Sequence, residues 1–147
     1  MRVITEPTQA QLEATARREH AGCLMCGQEQ AAGLQLRFVV QPDGAVEATY
    51  VPGLTRQGYR GILHGGTIAA LLDAAMTNAL FARGITALTA RLSVRYRQPV
   101  RLGVPLTVRG WLVDANLPLC NVTAEVRQEG NRAAQASAVF MQIPAGN

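Results

Sequence analysis

The chain has 147 residues, 48% of them hydrophobic but only 5% aromatic, and a formal net charge of +4. This length suits one domain with a core of aliphatic side chains and alanine, and the scarcity of aromatic side chains that stack on bases excludes a nucleic-acid partner from our expectations. No apolar run approaches the roughly 20 residues that span a bilayer, and the N-terminus has no signal-peptide pattern, so we expect a cytoplasmic protein without a membrane partner.

The first third of the chain predicts a polar helix, a turn-rich connection and a β-hairpin. Residues 8–20 begin with a threonine and are typical of a short helix, and the glycine-rich connection runs from 22 to 33. Alternating apolar residues predict strands at 34–40 and 45–51, joined by a turn at Pro42-Asp43-Gly44. Residues 52–63 contain a proline and three glycines and predict a loop.

The centre of the chain predicts one long helix at residues 67–83, ended by Gly84. Its apolar stripe has helical spacing and consists of Ile68, Leu71, Leu72, Ala75 and Ala79. Four strands follow at 86–96, 106–113, 119–128 and 133–143. This order excludes a doubly wound parallel fold. We predict an α+β fold in which an antiparallel sheet of about six strands wraps around the alanine-rich helix, which the sheet can approach closely.

The cysteines raise the question of a metal. Three of them make an odd count, which argues against a disulfide framework. The spacing of His20, Cys23 and Cys26 is compatible with zinc ligands, but a fourth ligand would have to come from Cys120 or His64. A single pair of close cysteines more often forms a packed turn, so we predict no metal and no other cofactor.

The segment at the start of the long helix carries the chemistry. Gly65 and Gly66 expose backbone N–H groups that no side chain shields. The helix dipole adds positive charge there, which suits a carbonyl that becomes an oxyanion in a transition state. We expect Gly66, with Gly65, to donate to that oxygen. Asp73 is the only carboxylate on the helix and is the candidate base or nucleophile.

The spacing of these groups predicts a dimer. Gly65 and Asp73 are separated by eight residues, roughly 12 Å along a helix axis. One reacting carbon therefore cannot readily contact both groups within a single chain. Asp73 also lies about 130° away from the Leu71–Leu72 stripe at 100° per residue, on the side of Ala70 and Thr77. We expect two antiparallel helices in a homodimer to build two composite sites.

The element order and motifs resemble the hotdog-fold thioesterases, in particular the phenylacetyl-CoA thioesterase-like group of acyl-CoA hydrolases. The resemblance covers residues 23–147 and leaves 1–22 as a helical extension. It is carried by Cys23-Leu24-Met25-Cys26-Gly27, by Gly33-Leu34, by the stretch 58–66 (GYRGILHGG), by Asp73 nine residues after His64, and by residues 92–100. It implies acyl-CoA hydrolysis without a metal, Asp73 as the catalytic carboxylate, a Thr89 hydroxyl that assists it, and a shared site in a dimer or a dimer of dimers.

One position departs from the family pattern. Where several relatives hold the attacking water or the carbonyl with an asparagine or glutamine, this chain has Gly58, and the neighbouring Gln57 is the candidate substitute.

For His64 we favour a structural role that caps or braces the loop over a role of its ring in binding substrate. We further expect substrate contacts from Leu63 and Thr77, and a pocket lined by residues 54–62 with Met76, Leu80 and Phe81.

Three arginines alternate along the predicted strand at 86–96 and just beyond it, and therefore share one face. They are Arg91, Arg95 and Arg97. Their guanidinium groups suit the phosphates of coenzyme A, although an ordinary charged face exposed to solvent explains them equally well.

Two other functions stay open: an acyl-CoA-binding protein without catalysis, which does not need Asp73, and a hydratase or dehydratase that uses His64 as a base. The sequence does not select an acyl group.

Overall fold

The computed structural model describes residues 4–145 and contains two α-helices and six strands. The helices are α1 (Gln9–His20) and α2 (Gly65–Phe81). The strands are β1 (Val39–Val40), β2 (Val46–Tyr50), β3 (Ala87–Tyr96), β4 (Leu106–Asn116), β5 (Leu119–Gln128) and β6 (Asn131–Gln142), and a single 3-10 turn lies at Leu54–Arg56. No helix in this range is long and apolar enough to cross a membrane.

The strands form one antiparallel sheet in the order β1-β2-β4-β5-β6-β3. α2 lies across one face of this sheet and contacts β2 to β6. The predicted α+β architecture is therefore confirmed. Because β3 is at the end of the strand order, one edge of this ten-residue strand has no neighbour within the described chain, and only Ala87 and Val94 along it are not exposed.

The sheet approaches α2 so closely that one strand position has no room for a side chain. A Cβ atom at Gly110 in β4 would lie 2.6 Å from the carbonyl oxygen of Ala75. Ala75 itself is fully buried. The small residues of the helix and this glycine together let the two backbones pack against each other, as the alanine content predicted.

Most predicted elements have slightly different bounds in the structure, and the differences are largest in β1, α2 and β4. The predicted strand at 34–40 is reduced to β1, because Leu34 and Leu36 donate their N–H groups to the turn at residues 24–25 and Gln35 has a φ of 50°. α2 begins and ends two residues before the predicted helix. Gly84, with a φ of 71°, donates to Phe81 and closes the C-terminal turn. β4 extends three residues further than predicted.

α1 packs against α2 rather than extending into solvent. The Thr8 hydroxyl oxygen accepts a hydrogen bond from the N–H of Gln11 and caps its N-terminus. Leu12 and Thr15 are buried, and Leu12 joins the main core. The division of the chain at residue 22 stays a prediction, although this helix shares its core with the remainder.

Candidate active site

The start of α2 is organised by a histidine side chain. His64 is the N-cap, and its Nδ1 accepts a 2.8 Å hydrogen bond from the N–H of Gly66. The His64 carbonyl accepts from the N–H groups of Thr67 and Ile68. Because Nδ1 is the acceptor, a neutral ring carries its proton on Nε2. The geometry is that of the capping role favoured from the sequence.

Because of this cap, the backbone N–H that has no hydrogen-bond acceptor at the helix start is not the expected one. The N–H of Gly66, the expected first donor, is occupied by His64. Within residues 4–145, the N–H of Gly65 has no hydrogen-bond acceptor. Gly65 is half-buried at the positive end of the helix dipole. The backbone N–H that the cap leaves free at this helix start is therefore that of Gly65.

Asp73 is held by a strand hydroxyl. The Thr89 hydroxyl on β3 donates a 2.6 Å hydrogen bond to Oδ1 of Asp73. Asp73 is half-buried, and its helix neighbours Thr77 and Asn78 are 7% and 1% exposed. Asp73 is therefore a half-buried carboxylate that the Thr89 hydrogen bond orients at the boundary between the helix and an edge strand.

A second residue of β3, which the sequence analysis did not single out, contacts the other end of the site. The Tyr96 hydroxyl donates a 2.7 Å hydrogen bond to the carbonyl oxygen of Gly65. A Cβ atom at Gly65 would lie 3.6 Å from this ring, in ordinary contact. Strand parity was the available signal, because Tyr96 alternates with the arginines and so faces the opposite side.

The two faces of β3 separate the candidate residues. Thr89, Leu92, Val94 and Tyr96 pair with core-facing residues of β6 and point toward α2. Arg91 and Arg95 pair with Val139 and Gln135 on the outer face, and Arg97 Nε donates to Gln135. The three arginines share a face, as predicted. Within one chain, the sheet lies between them and the Gly65–Asp73 groups.

The loop before α2 is held by its own contacts. Gln57 accepts a 2.8 Å hydrogen bond from the N–H of Gly61 through its side-chain oxygen. A Cβ at Gly58 would lie 3.1 Å from Cα of His64, so this glycine lets the loop pack against the helix cap.

The other expected pocket residues lie in the core. Leu63 is 2% exposed, and Met76, Leu80 and Phe81 are buried as well. They therefore form the core and do not line an open pocket in a single chain. This differs from the expectation because α2 is enclosed by the sheet and by α1 on most of its surface.

A separate cluster lies at the end of α1. The ligand atoms of His20, Cys23 and Cys26 all lie within 4.8 Å of one another, and neither His64 nor Cys120 belongs to the group. Burial lowers the pKa of His20, against the opposing charges of Asp73 and Glu19. Burial also raises the pKa of the Cys26 thiol to about 12. Both groups are therefore neutral near pH 7.

Comparison with known proteins identifies the family. A model described as the thioesterase superfamily matches residues 60–135, which is just over half of the chain and includes α2, β3, β4, β5 and the start of β6. The chain belongs to the thioesterase superfamily. The matched range contains both Gly65 and Asp73. The resemblance inferred from the helix start and its carboxylate is thereby confirmed.

Individual superfamily members agree with this assignment. The rat acyl-coenzyme A thioesterase THEM4 is 30% identical over 108 residues, which are 72% of this chain and 46% of the rat protein. The chain thus spans about half the length of this curated relative. A phenylacetic acid degradation-related protein from Ralstonia eutropha JMP134 is 27% identical, with a TM-score of 0.66 over 74% of this chain and 85% of that chain.

A third relative supports the fold. A Streptococcus mutans protein, solved bound to acetyl CoA, is 23% identical and has a TM-score of 0.70 over 76% of this chain and 91% of that chain. The predicted hotdog fold is confirmed by the superfamily match together with these structural matches.

Proposed function

We propose that the protein is an acyl-CoA thioesterase that hydrolyses an acyl-CoA to the free acid and coenzyme A. The observation that carries the proposal is the pair formed by the free N–H of Gly65 and the Thr89-bound carboxylate of Asp73. Membership in the thioesterase superfamily supports it. So do the name of the rat relative and the acetyl CoA held by the S. mutans protein.

The two groups divide the chemistry between them. The Gly65 N–H donates to the thioester oxygen and stabilises the negative charge that develops there. Asp73 either takes a proton from the attacking water or attacks the carbonyl carbon itself. The carbon–sulfur bond then breaks, and the thiolate of coenzyme A leaves and takes a proton. Where Asp73 itself has attacked, the acyl group is left joined to it as an anhydride, and a water molecule hydrolyses this bond to give the free acid and restore the carboxylate. Thr89 orients the carboxylate, and His64 and Tyr96 position the backbone of Gly65.

The acting unit of this proposal is a homodimer. Gly65 and Asp73 are separated by eight residues of helix, roughly 12 Å. They contact β3 near its two ends, through Tyr96 and Thr89. The outer edge of this strand has no neighbour within residues 4–145. Edge strands are templates for pairing with another chain.

Antiparallel pairing of two β3 strands makes the site complete. A two-fold axis near Leu92 and Ser93, midway between the two contact residues, brings the Thr89 end of one strand opposite the Tyr96 end of its partner. Asp73 of one chain then approaches Gly65 of the other. Two such sites form in each dimer, as expected of a self-complementary interface. A further association into a dimer of dimers is compatible with this arrangement.

The hydratase alternative loses support from the cap geometry. A base at His64 needs a free ring nitrogen that points at substrate. Nδ1 already accepts the N–H of Gly66, and a neutral ring then carries its proton on Nε2.

Cytoplasmic location remains part of the proposal and is supported by the three free cysteines Cys23, Cys26 and Cys120.

Release of free thiol from a panel of aromatic, short-chain and medium-chain acyl-CoAs tests the function and assigns the acyl group. Wild-type protein should hydrolyse at least one of them. Asp73→Asn should lower kcat by about 10² or more with little change in KM, because the carboxylate acts in the transition state. Retained acyl-CoA binding by wild type without thiol release would show a binding protein, and hydration of an enoyl-CoA without thiol release would show a hydratase.

A further inference from the structure

Three side chains with metal-ligating atoms meet where α1 ends. His20 is the last residue of α1, and Cys23 and Cys26 lie in the turn that follows. The Sγ of Cys26 is 3.6 Å from Nδ1 of His20. For tetrahedral Zn²⁺ with bonds of about 2.3 Å to sulfur and about 2.1 Å to nitrogen, two such ligands lie about 3.6 Å apart. The His20 and Cys26 ligand atoms therefore already have the spacing that one ion requires, and Sγ of Cys23 lies within 4.8 Å of both.

The backbone around the cysteines is arranged to hold a sulfur in place. The N–H of Met25 donates a 3.3 Å hydrogen bond to Sγ of Cys23 and so fixes the position of that sulfur. Gly27 donates its N–H to the Cys23 carbonyl. A Cβ atom at Gly27 would lie 2.3 Å from the backbone nitrogen of Cys23, so this compact turn requires glycine there.

The third ligand is oriented by the core. The His20 ring packs edge-on against Phe81 of α2, with ring centroids 4.9 Å apart. His20 and Cys26 also line a cavity of about 330 Å³ between α1 and the segment that leads into β1. The cavity gives an ion an entry path and gives a water molecule room to bind it. Two carboxylates and two guanidinium groups line the same cavity, so the donor atoms rather than the net charge select the ion.

We propose that His20, Cys23 and Cys26 bind one Zn²⁺ ion, with a water molecule as the fourth ligand. Two sulfur donors and one imidazole nitrogen favour Zn²⁺ over Mg²⁺ or Ca²⁺, which prefer oxygen ligands. Binding displaces the thiol protons to solvent. The ion joins the end of α1 to the Cys23–Cys26 turn beside α2, and its role is to stabilise the packing of α1.

Cobalt substitution tests this site directly. The chain, purified without a metal-affinity tag and kept reduced, is stripped with a chelator and titrated with Co²⁺. We expect one equivalent to bind with thiolate-to-cobalt charge-transfer absorption and with the visible bands of a tetrahedral ion, and Zn²⁺ should displace it. Addition of Zn²⁺ to the stripped protein should raise Tm, because the ion binds the folded chain.

Matched variants identify the ligands. Cys23→Ala, Cys26→Ala and His20→Gln should each weaken Co²⁺ binding by more than about tenfold. Cys120→Ala removes a buried cysteine outside the cluster and should bind like wild type. Circular dichroism checks that each variant folds, and Cys23 is the safer position because it is only half-buried.

Three results would overturn the proposal. One is that reduced wild-type protein gives no charge-transfer band. Another is that Cys23→Ala, or His20→Gln, binds Co²⁺ as tightly as wild type. The last is a Cys23–Cys26 disulfide in the isolated protein together with no Co²⁺ binding after reduction, which would make the pair a redox site.

Discussion

The Tyr96 hydroxyl donates a 2.7 Å hydrogen bond to the Gly65 carbonyl oxygen and so connects the end of β3 to the first turn of α2. The carbonyl belongs to the same residue whose N–H is free for a substrate oxygen. Tyr96 thereby controls the orientation of the peptide units at the helix start without contacting the reacting atoms.

Tyr96→Phe removes this hydrogen bond and retains the ring that packs against Gly65. A net hydrogen bond contributes about 1 kcal/mol, so we expect kcat to fall roughly fivefold with little change in KM. Steady-state kinetics with the best acyl-CoA measure the effect. A variant with wild-type kcat would show that the helix start keeps its orientation without the tyrosine.

Gly65→Pro removes the proposed oxyanion donor. Proline is tolerated at the first helical position, and His64, with φ −57° and ψ 133°, already has the backbone conformation that precedes proline. We expect kcat to fall by about 10²–10³, as after loss of one oxyanion donor. The matched control Gly65→Ala keeps the N–H, and its Cβ makes only ordinary contact with Tyr96. Equal activity of the two variants would reject Gly65 as the donor.

Thr89→Val removes the hydroxyl that binds Asp73 and keeps the branched shape of the side chain. Hydrogen bonds to charged groups contribute about 1.5–3 kcal/mol, so kcat should fall by roughly 10–100-fold. Thr89→Ser retains the hydroxyl and should recover most of the activity. If the serine variant is as slow as the valine variant, the methyl group and not the hydrogen bond is what the site requires.

How far the sequence predicted this site depends on which feature is considered. The pair of glycines at the helix start, the carboxylate of Asp73 and the shared face of the arginines on β3 follow from local spacing and periodicity, and each was predicted, although α2 begins two residues earlier than expected. The sequence did not predict that Gly65 rather than Gly66 has the free N–H, because this depends on the orientation of the His64 ring. Tyr96 was missed because strand parity indicates only which face it occupies, whereas its contact with Gly65 depends on how β3 crosses α2.

Replacing Arg95 and Arg97 together with alanine tests whether the outer face of β3 contributes to nucleotide binding. If these guanidinium groups contact the phosphates of coenzyme A, KM should rise for an acyl-CoA but much less for an acyl thioester that lacks the nucleotide. Because both residues lie on the sheet face opposite α2, the nucleotide would have to extend around the strand edge. Equal effects on the two substrates would show that the arginines serve only as a charged solvent face.

Mixing two inactive variants tests the composite site. The Asp73→Asn chain keeps the Gly65 donor, and the Gly65→Pro chain keeps the carboxylate. If each site takes its donor and its carboxylate from opposite chains, a mixed dimer contains one site with both defects and one intact site. Random pairing at equal amounts makes half of the dimers mixed, so the mixture should regain roughly a quarter of wild-type activity. Native mass spectrometry measures the fraction of dimers that contain one chain of each variant. The control is a mixture of two separately prepared samples of the Asp73→Asn chain, which should regain no activity. Mixed dimers with no more activity than either parent would place the donor and the carboxylate in the same chain.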